Sequence, residues 1–259
     1  MNVQVIDKTP KFVFPKQSTM KQILLLLVVA SISLPSCRFA FGKRVTGNGN
    51  LTTQDRSINN FNGLSSYGSY NVYLTQDSGY KVSVEAEDNL QEYIETFVDN
   101  GELKIRTKEG FNLRPRRSIK INVFAPSFSS IKTVGSGDII SQSVINNSSA
   151  VDLQATGSGN INANLNAPEV KADITGSGNI HLEGETKNFK SEILGSGNIR
   201  AYDLKAEEVG VEIMGSGNAE VFSSVKIRVE IHGSGDVKYK GGGQVSSEIH
   251  GSGSVKKTD

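Results

Sequence analysis

A glycine-rich motif returns at nearly constant intervals along most of this chain. It reads Gly-Ser-Gly followed by Asn, Asp or Ser, and successive copies are 22, 19, 19, 20, 18 and 18 residues apart. A unit of this length cannot bury its own apolar side, whereas stacked units share a continuous core. The repeat therefore predicts a solenoid with one rung per motif. The first glycines of the copies are Gly135, Gly157, Gly176, Gly195, Gly215, Gly233 and Gly251.

The residues before each motif alternate between apolar and polar types. Isoleucine stands two residues before the later motifs, at Ile174, Ile193, Ile213, Ile231 and Ile249. A period of two predicts strands with one buried face. Leucine-rich repeats would need a Leu/Asn pattern with a helical half, and propeller blades about twice this period. We therefore predict an all-β parallel β-helix, and 27 glycines against 6 prolines agree with many tight turns.

Stacking such rungs would place equivalent residues in columns. The first glycine of each motif is predicted to occupy a corner, because glycine tolerates positive φ and close approach of backbones. An asparagine column, bracketed by Asp138 and Asp236, follows these corners. Stacked amides can hydrogen-bond from rung to rung, so we interpret this column as a structural ladder and not a ligand site. Its members are Asn160, Asn179, Asn198 and Asn218.

The Gly-Ser-Gly-Asn-Ile repeats resemble the auto-transporter adhesin, head GIN domain family. Phe61-Asn62-Gly63-Leu64 and the segment VSVEAEDNL at 82–90 are similar to the N-terminal half of that family. The resemblance covers roughly residues 45–255. It implies a right-handed β-helix on exported bacterial proteins, many of which are lipoproteins.

Residues 1–36 have the layout of a signal peptide. A lysine precedes an apolar run at 23–34 that is too short to span a bilayer comfortably. The run ends in Leu34-Pro35-Ser36-Cys37, which resembles a bacterial lipobox, although Pro35 replaces the small residue usual there. Lipidation of Cys37, the single cysteine, would anchor the protein without spanning the membrane. The alternative is an unmodified buried thiol.

The rest of the chain is interpreted as a tether, 37–44, and one β-helix domain, 45–259. Regular repeats occupy 131–255, and 45–130 form the irregular, capping end of the same solenoid. Looser copies of the motif begin at Gly47 and Gly68, and the interval from Gly68 to Gly135 allows about three rungs plus an excursion. A start at Met20 would remove residues 1–19 from the leader.

The irregular part also predicts four strands and a short helix. Strand-like alternation appears at 70–74, 80–86, 102–106 and 118–123. Asp88 is expected to cap a helix from Asn89 to about Phe97, with apolar residues on one side of it.

An acidic column is predicted three residues before the glycines, beginning at Asp173. In register its carboxylates would lie about 4.8 Å apart and repel each other. Lys171, Lys190 and Arg228, two residues earlier, are expected to offset them through salt links on a solvated face. The alternative is a stripe that binds cations or a polycation. The remaining members of the column are Glu192, Glu212, Glu230 and Glu248.

No group of residues in the sequence indicates catalysis or a cofactor. His232 and His250 precede neighbouring motifs and should stack, but His181 lies elsewhere in its repeat, and two imidazoles make a poor metal site. The serines belong to turns and lack a Gly-x-Ser-x-Gly elbow. We therefore predict a protein that is not an enzyme and that uses no metal or other cofactor.

The charge distribution gives no surface for nucleic acid. The formal net charge is +1, and the densest basic patch, Arg114, Arg116 and Arg117, is interrupted by Pro115 and interpreted as a solvated loop. The leading interpretation is a non-catalytic cell-envelope lipoprotein that offers an adhesin-like binding or structural surface to an envelope protein or glycan.

Two other functions stay open. The first is carbohydrate binding or processing, which an outward aromatic row would favour, and the candidates are Tyr202, Phe222 and Tyr239. The second is end-to-end assembly through the last rung, against which Lys256 and Lys257 would act. Arg38-Phe39-Ala40-Phe41-Gly42-Lys43-Arg44 suits a lipid headgroup region, so we expect an outer-membrane lipoprotein on the periplasmic side.

Overall fold

The computed structural model describes residues 42–259, so the predicted signal peptide, Cys37 and most of the tether lie outside the described residues. The irregular half holds β1 (Lys43–Thr46), β2 (Leu51–Arg56), β3 (Gly63–Gly68), β4 (Asn71–Gln76), β5 (Lys81–Glu87), a 3-10 helix (Asp88–Tyr93), β6 (Ile94–Asp99), β7 (Glu102–Thr107), β8 (Phe111–Arg114) and β9 (Lys120–Ala125). The regular half holds β10 (Ser130–Gly135), β11 (Ile139–Ser141), β12 (Ile145–Asn146), β13 (Val151–Gly157), β14 (Asn160–Gly176), β15 (Asn179–Gly195), β16 (Asn198–Gly215), β17 (Asn218–Gly233), β18 (Asp236–Lys240), β19 (Gln244–Gly251) and β20 (Ser254–Lys257).

Three parallel sheets, which we name A, B and C, run along the regular repeats. Sheet A holds the segments that end at each corner glycine, in the order β7, β3, β10, β13, β14, β15, β16, β17 and β19. Sheet B holds the segments after each motif, in the order β9, β4, β11, β14, β15, β16, β17, β18 and β20. Sheet C is shorter and pairs β12 with the middle of β14. The predicted parallel β-helix is confirmed.

Alternating side chains build the core. In β14, Val170, Ala172 and Ile174 point inward and are buried, whereas Lys171 and Asp173 point outward. The isoleucines two residues before each motif lie directly above one another through the registers of β14 to β17 and β19. Burial of each such side chain contributes about 1.5–3 kcal/mol, so the repeated column is a main source of stability. One hydrophobic cluster extends from Phe61 to Val237.

The rungs of the irregular half do not follow chain order. Strand β10 pairs with β3, which puts Gly135 in register with Gly68 although 67 residues separate them. The intervening chain passes beneath this rung, where β7 pairs with β3 and β9 with β4. The sequence predicted about three rungs here; in the structure one further rung, formed by β7 and β9, lies under β3 and β4, and the remainder closes the end of the solenoid.

The predicted helix from Asn89 to Phe97 is wrong in its second half. The 3-10 helix ends at Tyr93 and β6 begins at Ile94, pairing antiparallel with β7. Asp88 lies within the helix and does not cap it. The reason is the turn Asn100-Gly101, where both residues have positive φ, at 52° and 77°. An Asn-Gly pair between alternating runs favours a hairpin, and pairing with β7 overrides the local helical preference.

The looser motif copy at Gly47 does not form a rung. Gly47 donates its backbone N–H to the carbonyl of Arg114, and β2 pairs antiparallel with β5. The buried Glu87 carboxylate joins these loops by accepting backbone N–H groups of Gly49 at 2.7 Å and Arg116 at 2.9 Å. In the described part of the chain, no helix is both long and apolar enough to cross a membrane.

Candidate binding face

The outward side of sheet A carries charged columns, and we call the outward side chains of β13 to β19 in this sheet the charged face. Asp173 and Glu192 are register partners, and the column continues through every following rung. Parallel strands lie about 4.7–4.9 Å apart, so these carboxylates form a row along the solenoid. The rest of the row is Glu212, Glu230 and Glu248.

The basic column beside this row offsets it only in part. Lys171 forms an ion pair with Asp173 at 2.7 Å, and this hydrogen bond raises the pKa of Lys171. Lys190, however, pairs with Glu169 at 2.8 Å on the other side of the column. Within residues 42–259, Arg228 forms no ion pair. The expected salt links therefore connect the two columns at Lys171 alone.

Two histidines replace lysines as partners at the far end of the row. His232 Nε2 lies 2.9 Å from Glu230 Oε1, and His250 Nε2 lies 2.8 Å from Glu248 Oε1. Their rings stack with centroids 4.8 Å apart, as the spacing of the motifs predicts. The hydrogen bond with His232, helped by the charges of His232, Arg228 and His250, lowers the pKa of Glu230.

His181 lies on sheet B, where its Nε2 is 3.2 Å from Glu183 Oε1. No set of three or more His, Cys, Asp or Glu side chains in 42–259 is placed to hold a metal ion.

A notch interrupts the basic column at Gly210, which sequence reasoning missed. Gly210 lies in register between Lys190 and Arg228, where the neighbouring rungs place long cationic side chains. Two shallow grooves of about 270 and 200 Å³ meet there, and both are lined by these three residues. The signal in the sequence is a glycine five residues before Gly215, at a position where three of the other repeats have lysine or arginine.

The asparagine column forms a hydrogen-bonded ladder at the start of sheet B. Each Nδ2 donates to the Oδ1 of the rung before, at 2.7 Å from Asn160 to Asp138 and at 2.8–3.0 Å for the next three steps. Ser254 donates to Asp236 at 2.6 Å and thereby lowers the pKa of that carboxyl. Each asparagine thus uses one amide N–H and its Oδ1 within the ladder, which supports the structural interpretation of this column.

The corner glycines bring backbones of adjacent rungs into contact. Gly195 has a φ of +128°, and a Cβ added there would overlap the carbonyl oxygen of Gly176 in the rung before. Every glycine of the predicted set has positive φ, from +107° at Gly157 to +143° at Gly251. L-residues avoid this region, so side chains are excluded on two grounds.

The three aromatic candidates do not form one outward row. Phe222 is in register with Lys205 and Lys240, and the ammonium of Lys205 lies 4.5 Å from its ring centroid. Tyr202 is likewise covered by Lys240, at 5.0 Å. Tyr239 packs against the core, in agreement with the inward alternation of its strand. These three rings therefore do not form a shared stacking surface.

Residues 60–243 match a family model described as "Putative auto-transporter adhesin, head GIN domain". This chain belongs to that family. The match covers most of the solenoid and confirms the resemblance found in the repeats. The family description indicates an exported envelope protein. No protein of curated function matches the chain significantly.

Solved structures share the fold. A putative adhesin from Bacteroides fragilis is 24% identical with a TM-score of 0.78, and the alignment covers 83% of this chain and 100% of that one. A putative lipid binding protein from Parabacteroides distasonis is 27% identical with a TM-score of 0.71, covering 84% and 100%. A putative adhesin from Parabacteroides merdae is 23% identical with a TM-score of 0.68, covering 84% and 100%. Each solved chain is aligned over its full length, so in these proteins the β-helix makes up the whole solved chain, and residues 42–259 correspond to that unit.

Proposed function

We propose that this chain is a non-catalytic binding protein of the bacterial cell envelope whose charged face contacts the ligand. The observation that carries the proposal is the row of carboxylates beside a broken basic column in sheet A. Within residues 42–259, Arg228 and Glu212 have no ion-pair or hydrogen-bond partner in their side chains, although they lie on adjacent rungs. Charges left without partners on a rigid surface are available to an external partner, and they favour specificity and fast association.

The family supports a binding role. Two of the similar structures are described as putative adhesins and a third, 27% identical to this chain, as a putative lipid binding protein. Fold alone does not define activity, so the ligand has to be argued from the face itself. The charged face is flat and its grooves are shallow, which suits contact with an extended or surface-bound partner more than enclosure of a reacting molecule.

A variant that lacks the carboxylates of the charged face tests the binding role. Residues 42–259 would be measured for binding to outer-membrane fragments from cells lacking the protein, at low and at high salt. The face variant replaces Glu192, Glu212, Glu230 and Glu248 with Gln. The matched control replaces four acids outside the charged face, Glu183, Glu185, Glu207 and Glu220, with Gln.

Binding that the face variant loses and the control retains, and that weakens with salt, is expected from a charged contact surface. Equal binding by both variants would place the contact elsewhere and contradict the proposal.

We further propose that Cys37 carries lipid and that residues 1–36 are removed. The support is the apolar run that ends at this cysteine, followed by basic and aromatic residues that suit a headgroup region. Mass spectrometry of the native N-terminus should find a lipidated Cys37 as the first residue. An intact leader with a free thiol would refute the anchor.

The membrane side follows from the short tether. Residues 38–44 contain three basic residues and no acid, so the tether should lie against the headgroups and hold the solenoid close to the inner leaflet of the outer membrane. Protease added to intact cells should leave the protein whole. Its loss while a periplasmic marker survives would place it on the cell surface.

A further inference from the structure

Gly210 is a glycine that the fold does not require. The corner glycines have positive φ and lie against the backbone of the rung before, but Gly210 does not have a positive φ. Among the strand glycines of 42–259, it alone has open space where a Cβ would stand, with no atom within 4 Å. A glycine inside a strand often marks a bulge, a bend, or close approach of a ligand or another backbone. The register at Gly210 is regular and no atom lies within 4 Å of a Cβ added there, so among these reasons the approach of an external ligand fits best.

Around the notch, the positive side chains lie in one column and the negative side chains in the column beside it. Lys190 and Arg228 flank Gly210 along the basic column, one rung away on each side. Glu212 lies two residues further along the same strand, with Glu192 and Glu230 above and below it. A ligand seated over Gly210 thus meets cations at its own position and carboxylates beside it.

We propose that the notch at Gly210 binds a zwitterionic phosphoethanolamine group, with the phosphate between Lys190 and Arg228 and the ammonium against Glu212. This site rests on the proposed binding role of the charged face and names its ligand class. A phosphate diester of a lipid headgroup and a phosphate monoester share this chemistry. We commit to the diester, because the proposed lipid anchor at Cys37 would hold the charged face beside a phospholipid surface.

The dimensions of the site fit this group. Rungs are about 4.8 Å apart, so the backbones of Lys190 and Arg228 are separated by about 9.6 Å, and their long side chains can converge on one phosphate. Two residues along a strand span about 6.6 Å, which places Glu212 within reach of an ammonium two carbons from the phosphate. Arginine binds phosphate oxygens with two donors, and Arg228 has no ion-pair partner within 42–259 that it would have to leave, whereas Lys190 would exchange its exposed partner Glu169 for the phosphate.

The neighbouring rungs lack this combination. At the adjacent rung of β15, Lys190 fills the notch position and is paired with Glu169. One rung further on, at β14, Lys171 fills it and is paired with Asp173. At the rung of β17, Arg228 itself fills the position, and Glu230 is held by His232. Only the rung of β16 combines a bare backbone, flanking cations and a carboxylate without an ion pair among the described residues.

Calorimetric titration of residues 42–259 with glycerophosphoethanolamine tests the site. Ethanolamine, inorganic phosphate, phosphoethanolamine and glycerophosphoglycerol are the comparison ligands. Gly210→Leu fills the notch, and it should leave the thermal midpoint unchanged or higher because the space is open and φ is ordinary. Arg228→Gln removes the guanidinium that would donate hydrogen bonds to the phosphate. Thr156→Leu is the control, since it adds the same side chain to an exposed position of the same face.

The expected result is binding of glycerophosphoethanolamine that both Gly210→Leu and Arg228→Gln weaken at least about tenfold, or 1.4 kcal/mol, while Thr156→Leu binds normally. Binding that survives Gly210→Leu overturns the site. Equal or tighter binding of glycerophosphoglycerol, or of either half of the ligand alone, overturns the zwitterionic class, and tighter binding of the monoester overturns the lipid source. No headgroup binding, with the membrane-fragment result intact, refutes this inference and leaves the proposed function standing.

Discussion

The two halves of the solenoid solve the same packing problem by different means. In the regular half, each rung repeats the residue types of the last, and identical columns hold the strands in register. In the irregular half, the chain places its rungs out of order and covers them with antiparallel strands. The repeated residues specify how one rung stacks on the next, whereas the end of the stack has to be covered by other strands.

The burial of the end rungs shows the consequence. At the N-terminal end, Val82, Val84 and Leu90 are fully buried, because β5, β2 and the 3-10 helix close the core. In the last rung described, the inward residues Val245 and Ile249 are 41% and 39% exposed. The same inward position therefore contributes different amounts to stability in different rungs, and substitutions can measure this difference.

The regular half should be broken most severely at a corner. Gly195→Val is expected to destabilise the fold by about 4 kcal/mol, because a β-branched residue is strained at positive φ and its Cβ overlaps the backbone of Gly176. Gly210→Val introduces the same side chain into the same strand system without either obstacle. Chemical denaturation would measure both. Similar midpoints for the two variants would contradict the corner role.

The core column should show a gradient towards the last rung. Ile213→Ala removes a fully buried side chain and is expected to cost about 3 kcal/mol, within the range for buried isoleucine. Ile249→Ala removes the equivalent side chain from a site that is already 39% exposed, and about 1 kcal/mol or less is expected. Equal losses of unfolding free energy would mean that the last rung is covered in solution.

The irregular half should be most sensitive at its turns. Gly101→Ala, at a φ of +77° in the β6–β7 hairpin, is expected to cost about 1 kcal/mol. Gly79→Ala is the control, because Gly79 is exposed, has ordinary φ and faces open space. Thermal melts of the two variants compare them directly. A loss confined to Gly79→Ala, or shared equally, would show that the hairpin does not direct this end of the fold.

The sequence predicted the regular half well because its signals repeat. Each Ile at the position two before the motif is a weak indication of a buried strand, but five in the same position leave little freedom of register. The carboxylate row and the stacking of His232 with His250 follow from that register alone. Spacing was sufficient here because, in a solenoid, residues one repeat apart in the sequence lie next to each other in adjacent rungs.

Motif spacing did not predict the irregular half, where strands that pair in the structure are not one repeat apart in the sequence. Gly68 and Gly135 are adjacent in space, yet nothing in the spacing shows that the chain between them returns beneath. Individual side-chain partners also escaped prediction. Lys190 pairs with Glu169 and not with the acidic row, and sequence spacing could not predict this because carboxylates lie on both sides of it and a surface ion pair has little intrinsic preference.

The smallest expected effect is a dependence of stability on pH in the regular half. The pKa values of Glu230 and Asp236 are lowered from 4.5 and 3.8, by hydrogen bonds with His232 and Ser254 respectively. A carboxyl whose pKa is lower in the folded state stabilises the protein above its unfolded pKa, and this contribution disappears as the pH falls through the folded value. The thermal midpoint should therefore fall on acidification below about pH 4.5.

Glu230→Gln and Asp236→Asn should each make this fall of the thermal midpoint slightly less steep. Glu220→Gln, whose carboxylate has no ion pair within 42–259, should not change it. If neither of the first two variants differs from Glu220→Gln, the acid sensitivity does not come from these two carboxyls and the prediction is wrong.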